Sequence, residues 1–384
     1  MAITPSEYLT PGQYMQALLD KRGWSQRVLA IVLGMDETGI NRLVADKRPV
    51  DAPIALLLGE VFGVRPEKFL QLQRRFDLRK ARIMVRPDPQ RTTRANVFGE
   101  LPITEMMKRG WLPDVDDVRD VPAVEAALKR FFRANSLNDI AVLPHAAKKT
   151  DEFSSATLPQ LAWLYRVKEI AKEMLVPKYS HEAVRDAVTK LRRLLSAPEE
   201  ARKVPRILAE SGIRFVIVES LSGAKIDGVS FWLNAKSPVI GITTRYDRID
   251  NFWFVLRHEI EHILHRHGRE AGRDMLDVNL EGQRAGTGPD IPEEERIANE
   301  AAQTFCVPDE AMQSFITRKD PFFAERDILG FASTIQVHPG LVAGQLQHRT
   351  GRYDRFRNHL VKIRSFVAPS AMVDGWGDVA PVGA

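Results

Sequence analysis

FWFVLRHEIEHILHRHG, residues 252–268, joins an apolar run to a His-Glu-x-x-His spacing. Residues four apart lie on one face of a helix, so His258 and His262 can present two imidazoles to one metal ion, with Glu259 beside them. The apolar run predicts a buried helix, in which two neutral histidines without partners would be costly. The alternative is a pair of core histidines, because this spacing also arises by chance.

A second helix is predicted downstream, in the segment IPEEERIANEAAQTFCVP of residues 291–308. A catalytic zinc ion takes three protein ligands and leaves a fourth position for water. A glutamate on this helix would complete a His-His-Glu site, and the spacing leaves four candidates open: Glu293, Glu294, Glu295 and Glu300.

Short apolar segments precede the histidine helix, and their composition differs from that of the helical regions. IRFVIVE, VSFWL and PVIGIT are rich in β-branched residues and are separated by Gly, Asn, Lys and Pro. They predict a small antiparallel sheet. The fold class is therefore mainly α with a small antiparallel sheet (α+β).

The N-terminal region predicts five short helices over residues 11–82 and no strand. Ser25 is placed to cap the second helix, Gly34 to end it and Asp36 to cap the third. Two short helices joined through a glycine are the signature of a helix-turn-helix. Residues 1–86 contain 14 Lys and Arg against 9 Asp and Glu, and thus carry the whole net charge of +5. A basic N-terminal segment joined to an otherwise neutral chain is typical of a nucleic-acid-binding module fused to another domain.

Changes in composition divide the chain into four parts. Residues 1–86 form the all-α helix-turn-helix domain, and residues 87–200 a Pro- and Thr-containing linker followed by a helical middle region. Residues 201–366 hold the predicted sheet and the histidine helix. Residues 367–384, rich in small residues, are predicted to be a disordered tail.

Length and composition exclude some classes of protein. No apolar run approaches the roughly 20 residues that span a bilayer, so no membrane association is expected. The N-terminus lacks the basic and apolar regions of a secretory signal. The single cysteine, Cys306, cannot form an internal disulfide. These features predict a cytoplasmic protein.

Residues 205–310 carry a resemblance to a known family. The segments GIRFVIVESLSGAKIDGVSFWL and SPVIGITTRYDRIDNFWFVLRHEIEHILH, followed by ERIAN, resemble the ImmA/IrrE family of bacterial metallopeptidases. The resemblance implies a zincin-like metallopeptidase domain with a Zn²⁺ ion bound by two histidines and the glutamate of a Glu-x-x-Ala-Asn pattern. In this sequence the implied ligands are His258, His262 and Glu295.

The resemblance also implies further roles near the metal. Glu259 would be the catalytic base that takes a proton from the zinc-bound water. Asn299 would steady a ligand histidine. The family pattern has a phenylalanine where this chain has Ala301, which leaves Glu294 as the alternative third ligand.

The first eighty residues resemble the XRE-type helix-turn-helix of HigA-like antitoxins, notably in PGQYMQALLDKRGWSQ, GINRLVADKRPVD and FLQLQRRFDLRKA. Such domains usually dimerise and place the helix after the tight turn in the major groove. That helix is predicted over residues 36–44. The implied base readers are Glu37, Thr38 and Arg42, and the implied phosphate contacts are Lys47, Arg48 and Arg27. The alternative is a helix-turn-helix that serves only to form a dimer or to bind a partner protein.

Together the two resemblances imply a homodimeric regulator that binds double-stranded operator DNA. Its zinc-dependent peptidase domain would cleave a specific repressor or toxin protein in stress-response or toxin-antitoxin control. The alternative is a non-catalytic HigA-like antitoxin or repressor whose zinc domain only binds a partner toxin. A degradative peptidase is less favoured, because it has no use for a helix-turn-helix.

Overall fold

The computed structural model describes residues 9–85, 88–150, 156–267, 269, 275–278 and 291–374, with the backbone alone for 144–150 and 275–278. The chain divides into two compact units, Met1–Pro89 and Gln90–Ala384. In the described part of the chain, no helix is both long and apolar enough to cross a bilayer.

The first unit consists of five helices, as predicted. They are α1 Pro11–Arg22, α2 Gln26–Leu33, α3 Glu37–Val44, α4 Ala52–Phe62 and α5 Glu67–Met84. One residue from each helix is almost completely buried in a common core: Tyr14, Leu29, Ile40, Leu58 and Phe69. Burial of these side chains supplies the main stabilisation of such a small helical unit.

The predicted capping residues begin and end these helices. The Ser25 hydroxyl accepts a hydrogen bond from Val28 N at 3.3 Å, and the Asp36 carboxylate accepts one from Gly39 N at 2.6 Å. Gly34 ends α2 with φ +64°, a left-handed conformation that costs glycine little. The tight turn between α2 and α3 is therefore encoded locally, and its prediction is confirmed.

The second unit is mainly helical. Its helices are α6 Arg91–Glu100, α7 Ile103–Lys108, α8 Val121–Phe132, α9 Leu137–Thr150, α10 Leu158–Glu173, α11 His181–Arg192, α12 Val204–Glu210, α13 Ile249–His265, α14 Glu293–Cys306, α15 Asp309–Lys319, α16 Glu325–Thr334, α17 Pro339–Thr350 and α18 Arg364–Val367. Short 3₁₀ turns occupy Pro198–Lys203, Arg357–His359 and Ala368–Ser370. The mainly α, α+β class is thus as predicted.

A five-stranded sheet lies within this unit, and it is mixed rather than antiparallel. Its strands are β1 Arg214–Val218, β2 Ile226–Trp232, β3 Pro238–Ile242, β4 Met275–Val278 and β5 Met372–Asp374, in the order β4-β2-β3-β1-β5. β2 pairs antiparallel with β3 and β4, whereas β1 pairs parallel with β3 and β5.

The mixed pairing follows from the path of the chain. The chain leaves β1, skips one strand position to form β2, and returns through a tight hairpin as β3 in the position between them. Because β3 reverses β2, it runs in the same direction as β1. The prediction of a purely antiparallel sheet was wrong because strand composition does not show that β2 skips a position.

Both faces of the sheet are buried. Along β1, Phe215 and Ile217 belong to one hydrophobic cluster, whereas Val216 and Val218 belong to the other. The first cluster includes α13, and the second includes α6 to α10, with Trp163 of α10 donating from Nε1 to Val218 O at 2.8 Å. From the region predicted as a linker and middle region, side chains within residues 97–140 and 156–174 therefore cover one face of the sheet, whereas Val184 and Leu191 of α11 belong to the cluster on the other face.

The C-terminal segment is ordered further than its composition predicts. Residues 367–384 were predicted to be a disordered tail, but β5 pairs with β1, and Val373 is buried in the core. The Asp374 carboxylate forms an ion pair with Arg166 and accepts a hydrogen bond from Trp111 Nε1 at 3.2 Å. The segment is ordered because β5 pairs with the outer edge of β1 and because Arg166 and Trp111 bind the Asp374 carboxylate. Residues 375–384 lie outside the described part of the chain.

This arrangement predicts that β5 contributes to stability. We expect a chain that ends at residue 371 to be less stable than one that ends at residue 374 by about 2 to 4 kcal/mol, because Arg166 and Trp111 lose a charged acceptor and β1 loses a paired neighbour. Urea unfolding followed by tryptophan fluorescence measures the difference. Both chains lack residues 375–384, so equal midpoints would contradict the role assigned to β5.

Candidate functional site

Helix α13 carries the central residues of the site in the second unit. Its apolar side chains, among them Trp253, Leu256 and Ile260, pack into the cluster on one face of the sheet. His258, Glu259 and His262 are also completely buried, with 0% exposure each. A helix with buried polar groups needs partners for them from neighbouring elements, and α14 and β2 provide these neighbours.

The two histidines converge on one carboxylate. His258 Nε2 lies 3.0 Å from His262 Nε2, and the carboxylate oxygens of Glu295 lie 3.3 Å from the first nitrogen and 3.5 Å from the second. Among the described residues, these three alone form a His, Cys, Asp or Glu cluster compact enough to hold a metal ion. The structure thus brings together the three predicted ligands, and the alternative ligand Glu294 lies outside the cluster.

The separation of these donor atoms suits zinc. Metal bonds of 2.0–2.1 Å in tetrahedral geometry imply a spacing of about 3.3 Å between ligand atoms. The two histidine nitrogens lie 3.0 Å apart, and each lies 3.3 or 3.5 Å from its nearer oxygen of Glu295, so these spacings are close to that value. Two imidazole nitrogens and one carboxylate are also a donor set that binds Zn²⁺ in enzymes and leaves a position for water. The residues therefore fit a zinc ion.

Glu259 lies against the sheet, next to the ligands. Gly228 of β2 packs so closely against it that a Cβ at position 228 would lie 2.2 Å from Glu259 Oε1. Only a residue without a side chain can occupy this position unless the carboxylate moves. The absence of a side chain at position 228 therefore leaves the space that the Glu259 carboxylate occupies.

Asn299 lies on α14, one turn after Glu295, and is almost completely buried. Its Oδ1 has no hydrogen-bond partner among the described residues. Its predicted contact with a ligand histidine is therefore not seen at this atom, and its role as a supporting residue stays a prediction.

His267 also belongs to the site, although the sequence alone favours a solvated helix end for it over a catalytic role. Its Nδ1 lies 2.9 Å from Nδ1 of His262, and its carbonyl accepts a hydrogen bond from Trp232 Nε1 at 3.1 Å. If His262 binds a metal through Nε2, its Nδ1 carries the proton and donates it to His267. Burial lowers the pKa of His267, which favours the neutral, accepting imidazole. By contrast, His265, for which the sequence also favours a solvated helix end, is exposed and pairs with Glu261 at 3.2 Å.

In the first unit, α3 exposes the residues predicted to contact DNA. Glu37, Thr38 and Arg42 are exposed. The three residues predicted to contact phosphate, Lys47, Arg48 and Arg27, are exposed too. The opposite face of α3, including Ile40 and Leu43, is buried. The helix therefore presents a polar face to solvent, which a recognition helix requires.

Asn41 lies on the same exposed face of α3 and was missed by the sequence reasoning. It follows Thr38 by three residues, a spacing that places the two side chains on one helical face. An asparagine can pair with adenine through two hydrogen bonds, so it joins Arg42 as a candidate base reader. The helical spacing from Thr38 was the signal that could have identified it.

Comparison with known proteins agrees with this part of the structure. Residues 15–69 match the helix-turn-helix family, and this range covers the core of the five-helix unit. No curated protein matches the chain. The family match does not extend beyond residue 69, so it identifies the DNA-binding unit alone. The N-terminal unit is a helix-turn-helix of XRE type, and the chain has the DNA-binding module of a regulator.

The exposed face of α3 predicts distinct effects of two substitutions. A preferred operator is first selected from random duplex DNA with the full chain. Arg42→Ala should weaken binding to it by about 1 to 3 kcal/mol and relax the preference at one base pair. Lys47→Ala should weaken binding to all sequences alike and reduce the salt slope by about 1. Equal effects of Arg42→Ala on the operator and on random DNA would contradict the base-reading role.

Proposed function

We propose that this chain is a DNA-binding regulator whose second unit is a zinc-dependent peptidase that cleaves a specific repressor or toxin protein. One observation carries the enzymatic part: two buried histidines and a glutamate converge within metal-binding distance, with a buried fourth residue, Glu259, adjacent in sequence. The resemblance of residues 205–310 to the ImmA/IrrE family supports the same conclusion.

The ligands proposed for the metal are His258, His262 and Glu295. Zinc held there would polarise a peptide carbonyl and lower the pKa of its bound water toward neutrality. The histidines must be neutral to bind, and the contact between His262 and His267 favours the tautomer that leaves Nε2 available. α14 brings the third ligand to the two histidines of α13.

Glu259 is proposed as the proton carrier. Its carboxylate would take a proton from the attacking water and later deliver it to the leaving amine. Gly228 leaves room for this carboxylate beside β2. Complete burial removes this group from bulk water, so the protein rather than solvent determines where the proton goes.

The N-terminal unit supports the regulatory part of the proposal. Its helix-turn-helix would bind double-stranded operator DNA, which places the protein's action in the cytoplasm. Exposed apolar side chains on the first unit, including Ile31, Leu56 and Leu57, favour the homodimer that the resemblance implies. A link to stress-response or toxin-antitoxin control rests on the family resemblance alone.

The proposed metal site predicts stoichiometric zinc that depends on Glu295 and not on its neighbour. Wild type and Glu294→Ala should each retain about one zinc ion per chain after dialysis, whereas His262→Ala and Glu295→Ala should lose most of it. Metal analysis by mass spectrometry measures the difference. If Glu294→Ala loses zinc and Glu295→Ala keeps it, the assignment of the third ligand is wrong.

The proposed peptidase activity predicts a large effect of Glu259→Gln. This variant keeps its size but cannot take the proton, so cleavage should slow by about 10² to 10⁴ while zinc is retained. Wild type and variant are expressed beside the product of the neighbouring gene, and the partner is followed by mass. Glu261→Gln is the matched control, because Glu261 lies on the same helix but pairs with Arg257 at 2.6 Å.

A discrete fragment with wild type and Glu261→Gln, but not with Glu259→Gln, is the expected result. An intact partner in all three cases, together with equal biological activity of wild type and Glu259→Gln, would refute proteolysis. The second unit would then be a zinc-bearing binding domain, as in the antitoxin alternative.

A further inference from the structure

A cleft of about 690 Å³ lies in the second unit between the end of α11, the exposed side of α16 and the start of α17. This volume is within the range of small-molecule sites in proteins. Its lining includes two arginines, Arg192 and Arg193, and no aspartate or glutamate. The cleft is therefore an open depression whose lining contains positive charge and no carboxylate.

Arg192 is the unusual member of this lining. It is partly buried, and its guanidinium has one long hydrogen bond, from Nη1 to Cys306 O at 3.4 Å. No carboxylate among the described residues lies within salt-bridge distance of Arg192, and burial lowers its pKa. A guanidinium with five donors and so few partners can accommodate an anion, which it would bind through two parallel hydrogen bonds.

Arginines at the end of α11 have an ordinary explanation, because cations near a helix C-terminus are favoured by the helix dipole. That explanation accounts for Arg193, which is exposed. Arg192 is partly buried and reaches the carbonyl of the last residue of α14, so it also lies at the C-terminus of a second helix. That single contact uses only one of its five donors.

The remaining lining indicates the kind of anion. Ser196, Ser333 and Gln336 supply hydroxyl and amide groups that can bind oxygens of a ligand. Leu329 is 45% exposed, and together with Ile335 and Val337 it forms an apolar wall. A lining that combines hydrogen-bonding groups with apolar side chains suits a small organic molecule that carries a phosphate group.

We propose that this cleft binds a small phosphorylated organic anion, with the phosphate held by Arg192 and Arg193 and the organic part against the apolar wall. The site is separate from the metal ligands. Arg192 contacts the last residue of α14, and Glu295 lies near the other end of that helix, about 16 Å away along the helix axis. The inference does not depend on the proposed peptidase activity.

The experiment measures binding of adenosine monophosphate, inorganic phosphate and adenosine to the full chain by isothermal titration calorimetry. We expect the nucleotide to bind, phosphate to compete with it, and adenosine to bind at least about tenfold more weakly, because charged hydrogen bonds carry the recognition. Adenosine binding as tightly as the nucleotide would overturn the proposal. So would the absence of binding by both phosphate-bearing probes at millimolar concentration.

Two variants locate the binding to the cleft. Arg192→Gln should weaken nucleotide binding about tenfold or more. The matched control Arg185→Gln, an exposed position on the same helix that is not part of the lining, should leave binding unchanged. Ser333→Trp should block the cleft from an exposed position without removing a charge. Equal affinity in wild type, Arg192→Gln and Ser333→Trp would show that the probe binds elsewhere and would overturn the proposal.

Discussion

The packing of the second unit depends on one constraint, which is that α13 is buried on the face that carries His258, Glu259 and His262 as well as on its apolar face. His258, Glu259 and His262 have no exposure, so neighbouring elements must approach the helix closely and supply polar partners. Gly228 lets β2 approach Glu259, and Gly344 lets α17 approach Asp250, where a Cβ would lie 2.1 Å from a carboxylate oxygen. α14 supplies Glu295. The sheet, α14 and α17 therefore all pack closely against α13.

The site was predictable from sequence to the extent that it is local. The spacing of His258, Glu259 and His262 fixes their common face on one helix, and the resemblance to a known family selected Glu295 among several glutamates. The contact between His267 and His262 could not be predicted in this way. His267 reaches His262 because Arg266 adopts a left-handed conformation that ends α13 and turns the chain back. Helical periodicity says nothing about a side chain beyond such a turn.

The fold was likewise predictable where it depends on residues close in sequence, and not where it depends on residues far apart. The caps and glycines of the first unit are local signals, and they gave the correct helices. The sheet order depends on pairings between residues far apart, such as Val216 with Met372, which a single sequence does not reveal. One signal was present, however: continuous apolar strands such as β1 are typical of a sheet covered on both faces. That signal agrees with the helices of residues 97–140 and 156–174, which cover the second face of the sheet.

Burial of Glu259 bears on the choice between a peptidase and a binding domain. Moving a carboxylate out of water costs free energy, and it belongs at a completely buried position only where it has partners or a task. A domain that used zinc only as a structural link would need His258, His262 and Glu295, and an apolar residue at position 259 would make it more stable. The close approach of Gly228 adds a second cost, since glycine weakens a strand. Neither Glu259 nor Gly228 is a metal ligand, and the proposed hydrolysis would give the buried carboxylate a role.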